Sequence, residues 1–169
     1  MKNHTIVHPD LRAAQENMYT PMKLVYSKLT LEAESQEYGA CTFEMNNKII
    51  KFRAAKITPT KIGQFVTFWK RIGTGPIMPY DISDQFDFLI VSVRADKNFG
   101  QFVFPKNVLW EKGLLSKDGK GGKRAMRVYP PWDIADNSQA KKTQAWQSLY
   151  FVEIQSITDI VTLQKLMRL

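Results

Sequence analysis

Two runs of strand-forming residues, Tyr38 to Met45 and Ile49 to Ala54, are separated by Asn46-Asn47, and this pattern leaves the chain little freedom. Asparagine tolerates positive φ better than most residues, so a pair of them between two strands prescribes a tight turn and an antiparallel hairpin. A second hairpin is expected from Phe86 to Arg94, a turn around Lys97-Asn98-Phe99, and the returning segment Gly100 to Phe104. Lys123 to Tyr129 alternates as one further strand and is closed by Pro130-Pro131. Before the first pair, the acidic stretch Leu31 to Glu37 reads as a polar lead into the hairpin.

Helical spacing recurs around these strands. A helix is expected from Pro9 to Tyr19, ended by Pro21, and another from a Thr58 cap and Pro59 to Arg71, with Ile62, Phe65, Val66 and Trp69 as its apolar face. A short helix over Pro105 to Lys112 stops at Gly113; a longer one follows an Asn137 or Ser138 cap and carries Ala140, Thr143, Trp146, Gln147 and Tyr150; a last one runs from Thr158 to Arg168. The expected fold class is α+β: a single domain over residues 1–169, with an antiparallel-rich mixed sheet of two hairpins plus one further strand, flanked by helices. A length of 169 residues suits one packed domain.

Hydrophobic residues make up 44% of the chain and include 10 Phe, which excludes bulk disorder. The single cysteine, Cys41, can neither close an intramolecular disulfide nor supply a thiolate zinc site, so a reducing cytoplasm is expected. Met1-Lys2-Asn3-His4 lacks the apolar stretch of a signal peptide, and the longest strongly apolar run, Phe88 to Val93, is too short to span a bilayer. No membrane association is expected.

The net charge is +8, and it is clustered. Between Met45 and Tyr80 there is no Asp or Glu, while Lys48, Lys51, Arg53, Lys56, Lys61, Lys70 and Arg71 are all positive. From Ser116 to Arg127, Lys117, Lys120, Lys123, Arg124 and Arg127 meet only Asp118, so the remainder of the chain is net acidic. Any one lysine is most simply a solvated surface group. As a set they favour an anionic partner.

Three details sharpen that expectation. Arg53 lies in an apolar strand, where a guanidinium needs a carboxylate or an external anion; Glu34, Glu37 and Asp87 are the internal candidates. If Lys51 and Arg53 share one face, Ile50 and Phe52 pack on the other, and the charges project together. Lys56, Thr58, Thr60 and Lys61 surround the start of the expected helix, where free N–H groups and the dipole attract phosphate. Lys120, Lys123, Arg124 and Arg127 follow from a glycine-rich, flexible loop, and Tyr129 and Trp132 set aromatic faces beside them, the ingredients of backbone neutralisation with base stacking. Trp69 and Phe102 are expected in the core.

Enzyme signatures are scarce. A P-loop, a Gly-x-Ser-x-Gly elbow, a kinase signature and a dinucleotide fingerprint are all absent. His4 and His8 are four apart, but no further ligand completes a metal site and Pro9 follows directly. The first helix, the hairpin and Lys56 resemble the restriction-endonuclease-like core, in which an acidic residue is expected two positions before the lysine; here that residue is Ala54. Glu34, Glu37, Glu44 and Asp87 remain the carboxylates available to such a reaction.

Four runs carry a further resemblance: Phe52 to Val66, Gly100 to Lys106, Gly122-Lys123-Arg124 with Arg127 to Pro130, and Thr143 to Gln147 with Tyr150-Phe151. Together they resemble the MepB family of small bacterial proteins over about Glu34 to Phe151, which implies a bacterial cytosolic protein and brings no established reaction. The functional expectation is a nucleic-acid-binding protein, for DNA or RNA, without a cofactor. A metal-dependent phosphodiesterase or nuclease on the same surface, with Mg²⁺, is the first alternative; a nucleotide, anionic-ligand or protein-interaction module is the second.

Overall fold

A computed structural model describes residues 6–154 and 157–168. His8 caps α1 (Pro9–Ala14) by accepting the Asp10 N–H on Nδ1 at 3.1 Å, and residues 15–19 continue it as a π-turn before Pro21. His4 lies outside the described residues. The chain then forms β1 (Ser27–Leu31), β2 (Cys41–Met45) and β3 (Lys48–Ala54) as an antiparallel meander. Asn46 and Asn47 both adopt positive φ, 52° and 59°, the geometry expected of their turn.

After β3 come β4 (Lys56–Ile57), β5 (Gln64–Thr67), β6 (Trp69–Lys70) and β7 (Met78–Pro79), and only then β8 (Phe88–Ala95) and β9 (Asn98–Pro105). α2 (Lys106–Glu111) leads to β10 (Ser116–Lys117), β11 (Lys120–Gly121) and β12 (Ala125–Val128); α3 (Ser138–Gln147), β13 (Phe151–Glu153) and α4 (Ile157–Met167) complete the described chain. The main sheet has the order β1-β2-β3-β8-β9-β13 and is antiparallel except for β3 and β8, which run parallel. The α+β expectation holds. The further strand, β12, joins a separate small sheet, β12-β5-β4, and two strands absent from the sequence reading, β1 and β13, occupy the edges of the main one.

The expected helix from Thr58 to Arg71 does not form. Gln64, Val66 and Phe68 are buried in alternation, the period of a strand, whereas the proposed helical face included Ile62, which is 36% exposed. Gly63 has φ +80°, and a Cβ there would stand 2.8 Å from the Tyr129 ring, so the residue belongs to a bend and not to a helix. β4 and β5 pair through Lys56↔Phe65 and Ile57↔Gln64.

The sheet separates two apolar layers. One face packs Ile50, Phe52, Ile90 and Val103 against Leu11, Met18 and Tyr19 of the first helical segment and Leu163 and Met167 of α4. The other packs Val91, Phe102 and Phe104 against Val66, Phe68, Val128 and Leu109. Lys51 and Arg53 do share a face, as their alternation requires, but that face turns into the second layer.

Arg53 is fully buried, which corrects its expected place on a phosphate-binding surface. Its partner is Glu32, immediately after β1, and none of the three acids considered from sequence. Arg53 Nη2 donates to Glu32 Oε2 at 2.6 Å, Lys51 Nζ and Thr42 Oγ1 donate to Oε1 at 3.1 and 2.8 Å, and the Tyr80 hydroxyl donates to Oε2 at 3.2 Å. Phe68 stacks beneath the guanidinium, 5.5 Å from ring centre to Cζ. Burial opposes the Glu32 charge, but Arg53, Lys51 and Thr42 together overcome it and hold the carboxyl below its ordinary 4.5. A depressed native pKa stabilises fully above that pH, and the stabilisation drains as pH falls below it.

Glu32→Gln should therefore cost about 3 kcal/mol in urea denaturation at pH 7, because it strands a buried guanidinium. A Glu32→Leu, Arg53→Met double variant should recover most of the loss. The wild-type loss of stability below about pH 4.5 should be steeper than that of Glu32→Gln; equal acid limbs would contradict the pairing.

Candidate functional site

The small sheet carries the site because its strands come from two basic segments. β12 pairs with β5 through Arg127↔Phe65 and Val128↔Gln64, which brings residues 123–129 beside the 58–63 loop. The Arg127 guanidinium donates to Thr58 Oγ1 at 2.9 Å and lies 5.8 Å from the Phe65 ring centre, so it clamps the loop while remaining partly exposed.

α3 completes the enclosure through two glutamines. Gln147 is buried; its Oε1 accepts the Tyr129 N–H at 2.8 Å and its Nε2 donates to the Arg127 carbonyl at 3.0 Å. Gln144 Nε2 donates to the carbonyls of Pro130 and Asp133 at 2.9 and 2.8 Å. These bonds give partners to backbone groups of Arg127 at the end of β12 and of the segment that follows it. Asn137 caps α3 as expected, its Oδ1 accepting the Ala140 N–H at 2.9 Å.

Between β5, β12, α3 and the C-terminal end of α2 lies a cleft of about 680 Å³. Lys61, Lys112, Lys123 and Arg127 line it against one acid, Glu111. Phe65, Tyr129 and Trp146 supply aromatic wall, and Lys112 Nζ sits 5.4 Å from the Trp146 ring centre. The volume lies within the range of about 300–1,000 Å³ typical of ligand sites.

The structure brings four sequence-predicted residues, Lys61, Lys123, Arg127 and Tyr129, into the cleft lining, with Thr58 bonded to Arg127, and leaves the others out of it. Lys56 is exposed, its Nζ 4.8 Å from the Tyr38 ring centre. Thr58 is held by Arg127, and Thr60 is exposed on the same loop; neither they nor Lys61 stand at a helix N-terminus, since residues 58–63 precede a strand. Lys120 is exposed on β11, and the expected flexible glycine loop is instead the ordered β10–β11 hairpin, anchored by Ser116 Oγ donating to Asp81 Oδ2 at 2.9 Å. Arg124 is exposed, and its carbonyl accepts the Phe68 N–H at 2.9 Å. Trp132 is half-buried and packs edge-on to Phe151 at 5.6 Å, which removes one face from any stacking partner.

Lys112, Trp146 and Gln147 were missed. Gln147 and Trp146 lay in the helical pattern but read as packing, and Lys112 stood alone before Gly113 with no neighbouring cation to mark it. The carboxylates considered for metal chemistry go separate ways. Glu34 pairs with Arg71 at 2.8 Å, Glu44 with Lys28 at 2.9 Å, Asp87 accepts the Ile49 N–H at 2.8 Å, and Glu37 is exposed beside Tyr38. Among the described residues no three His, Cys, Asp or Glu side chains are grouped to hold a metal ion.

A family profile described as MepB-like matches residues 32–153. The crystal structure of MepB superposes with a TM-score of 0.76 at 33% identity, covering 89% of this chain and 99% of that one. A bacterial homing endonuclease superposes with a TM-score of 0.46 at 16% identity, covering 82% and 86% of the two chains. Comparison with curated proteins yields no match.

Gln147→Leu should destabilise the protein by about 2 kcal/mol in urea denaturation, because it leaves two backbone groups without their partners. Gln139→Leu, an exposed change on the same helix, should stay within about 0.5 kcal/mol. Equal effects would show that Gln147 does not hold the cleft wall.

Proposed function

The chain belongs to the MepB-like family, whose matched segment contains every residue lining the cleft, and from this we propose a cytoplasmic nucleic-acid-binding protein that takes a phosphodiester strand into that cleft. The observation that carries the reading is how the cations are distributed between internal and external partners. Lys51, Arg53, Lys70 and Arg71 of the basic window are neutralised by Glu32, Asp84 and Glu34. Lys61, Lys112, Lys123 and Arg127 form no salt bridge among the described residues, and they converge. Four uncompensated cations around one concave wall set up a positive field that a strand of phosphates would relieve by releasing counterions.

Aromatic surface in the same wall distinguishes a nucleic acid from a simpler polyanion. A base would take the remaining surface of Tyr129, whose ring lies against Gly63, and of Trp146, whose ring packs on Phe104, while the lysines reach its flanking phosphates. A duplex would meet the cations only at its rim and leave the rings unused, so an exposed strand fits better. The Cys41 thiol is buried and pushed up to about 12, chiefly by burial, and no described helix is long and apolar enough to cross a membrane.

Fluorescence anisotropy with a labelled single-stranded oligonucleotide tests the reading. Affinity should fall steeply with salt, and Lys112→Ala and Lys123→Ala should each lower the log–log salt slope by about 0.7, the value of one phosphate contact. Binding that ignores salt, or slopes unchanged in both variants, would refute it.

A further inference from the structure

A second basic cleft lies on the other side of α2. It measures about 600 Å³ and is formed where the start of β8, the end of β9 and the C-terminal part of α4 meet. Lys48, Lys106, Lys165 and Arg168 line it against one acid, Asp87, the same balance as in the first cleft. None of these four cations forms a salt bridge among the described residues. Asp87 is already engaged: its carboxylate accepts the Ile49 N–H at 2.8 Å, and its carbonyl accepts the Lys106 N–H at 2.9 Å. It forms no salt bridge with any of the four among the described residues, and one carboxylate faces four cations.

The two clefts share a wall. Lys106 at the start of α2 belongs to the second and Lys112 just past its end to the first, so a six-residue helix of about 9 Å separates them. Trp146 lines the first cleft and Tyr150 the second; they are four residues apart, and both rings pack on Phe104, at 5.4 and 6.2 Å. Trp146 and Tyr150 both remain partly exposed, one at each cleft.

We propose that the second cleft is a phosphate-binding subsite for the same strand, so that one nucleic-acid strand runs from the first cleft across the Trp146–Tyr150 ridge to Lys48, Lys165 and Arg168. The proposal rests on the nucleic-acid reading of the first cleft and extends it to a continuous track. A mononucleotide or a short acidic peptide would fill either cleft without needing the other. Two cationic clefts joined by aromatic surface suit a polymer that repeats charge and ring along its length, and linking them through one ligand raises affinity without any new contact within either cleft.

The test compares single-stranded oligonucleotides of three and twelve nucleotides, with wild type, Lys112→Ala/Lys123→Ala and Lys48→Ala/Lys165→Ala/Arg168→Ala, read by anisotropy across a salt series. The three second-cleft residues lie outside the apolar layers, and unchanged thermal midpoints would verify folding. The triple variant should bind the twelve-mer about tenfold more weakly, with a salt slope lower by about 2 at about 0.7 per contact, and should bind the three-mer as wild type does. The double variant should weaken both lengths. If the triple variant leaves the twelve-mer unaffected while the double variant weakens it, the track is overturned and the first cleft stands alone. If neither variant alters binding at either length, both readings fall together.

Discussion

The buried pair between Glu32 and Arg53 ties the parts of this fold to one another. Glu32 leaves β1, Arg53 sits in the middle of the main sheet, and Tyr80 and Phe68, which close around them, come from the long excursion between β3 and β8. A guanidinium with no solvent access demands a carboxylate at hydrogen-bond distance, so the edge strand, the central strand and the excursion cannot be positioned independently. Two of the three strands of the small sheet that carries the first cleft, β4 and β5, belong to the same excursion. The position of that sheet over the second apolar layer is thus coupled to the ion pair through Phe68, whose ring lies against the guanidinium and whose N–H bonds the Arg124 carbonyl.

That pair also explains why total charge is a poor guide to this surface. Several of the most conspicuous cations answer an internal acid and present little field to solvent, and those that remain uncompensated are fewer and more localised than a count suggests. Long-range attraction at physiological salt is screened within about 8 Å, so what matters is whether unneutralised groups lie within that distance of a shared wall. The cleft between β12 and α3 meets this condition by folding, since Lys61 and Arg127 are far apart along the chain.

Local chemistry made much of the fold legible. The Asn46-Asn47 turn, the second hairpin, the short helix before Gly113 and the Asn137 cap each follow from side chains that constrain their own backbone. The error at residues 58–71 arose because Ile62, Phe65, Val66 and Trp69 match a helical face as spacing alone, while the strand alternation of Gln64, Val66 and Phe68 is masked by a glutamine in a buried position. That glutamine is accommodated because its Nε2 reaches the Arg94 carbonyl at 3.2 Å, a partner thirty residues away. β13 contributes only three residues, and β1 is largely exposed, so neither carries an apolar signature.

By itself the sequence determined what each segment prefers locally and where charge accumulates: two hairpins, four of the helical segments, a basic middle and a basic approach to Tyr129. Only the tertiary structure decided which cations meet an acid and which meet solvent. It buried Arg53 against Glu32, drew Lys112 and Trp146 to the wall with Lys61 and Lys123, and turned a supposed helix N-terminus into a loop clamped by Arg127. The physical reason is range. Turn and cap preferences act over a few residues, whereas desolvation and charge pairing depend on neighbours supplied by distant parts of the chain.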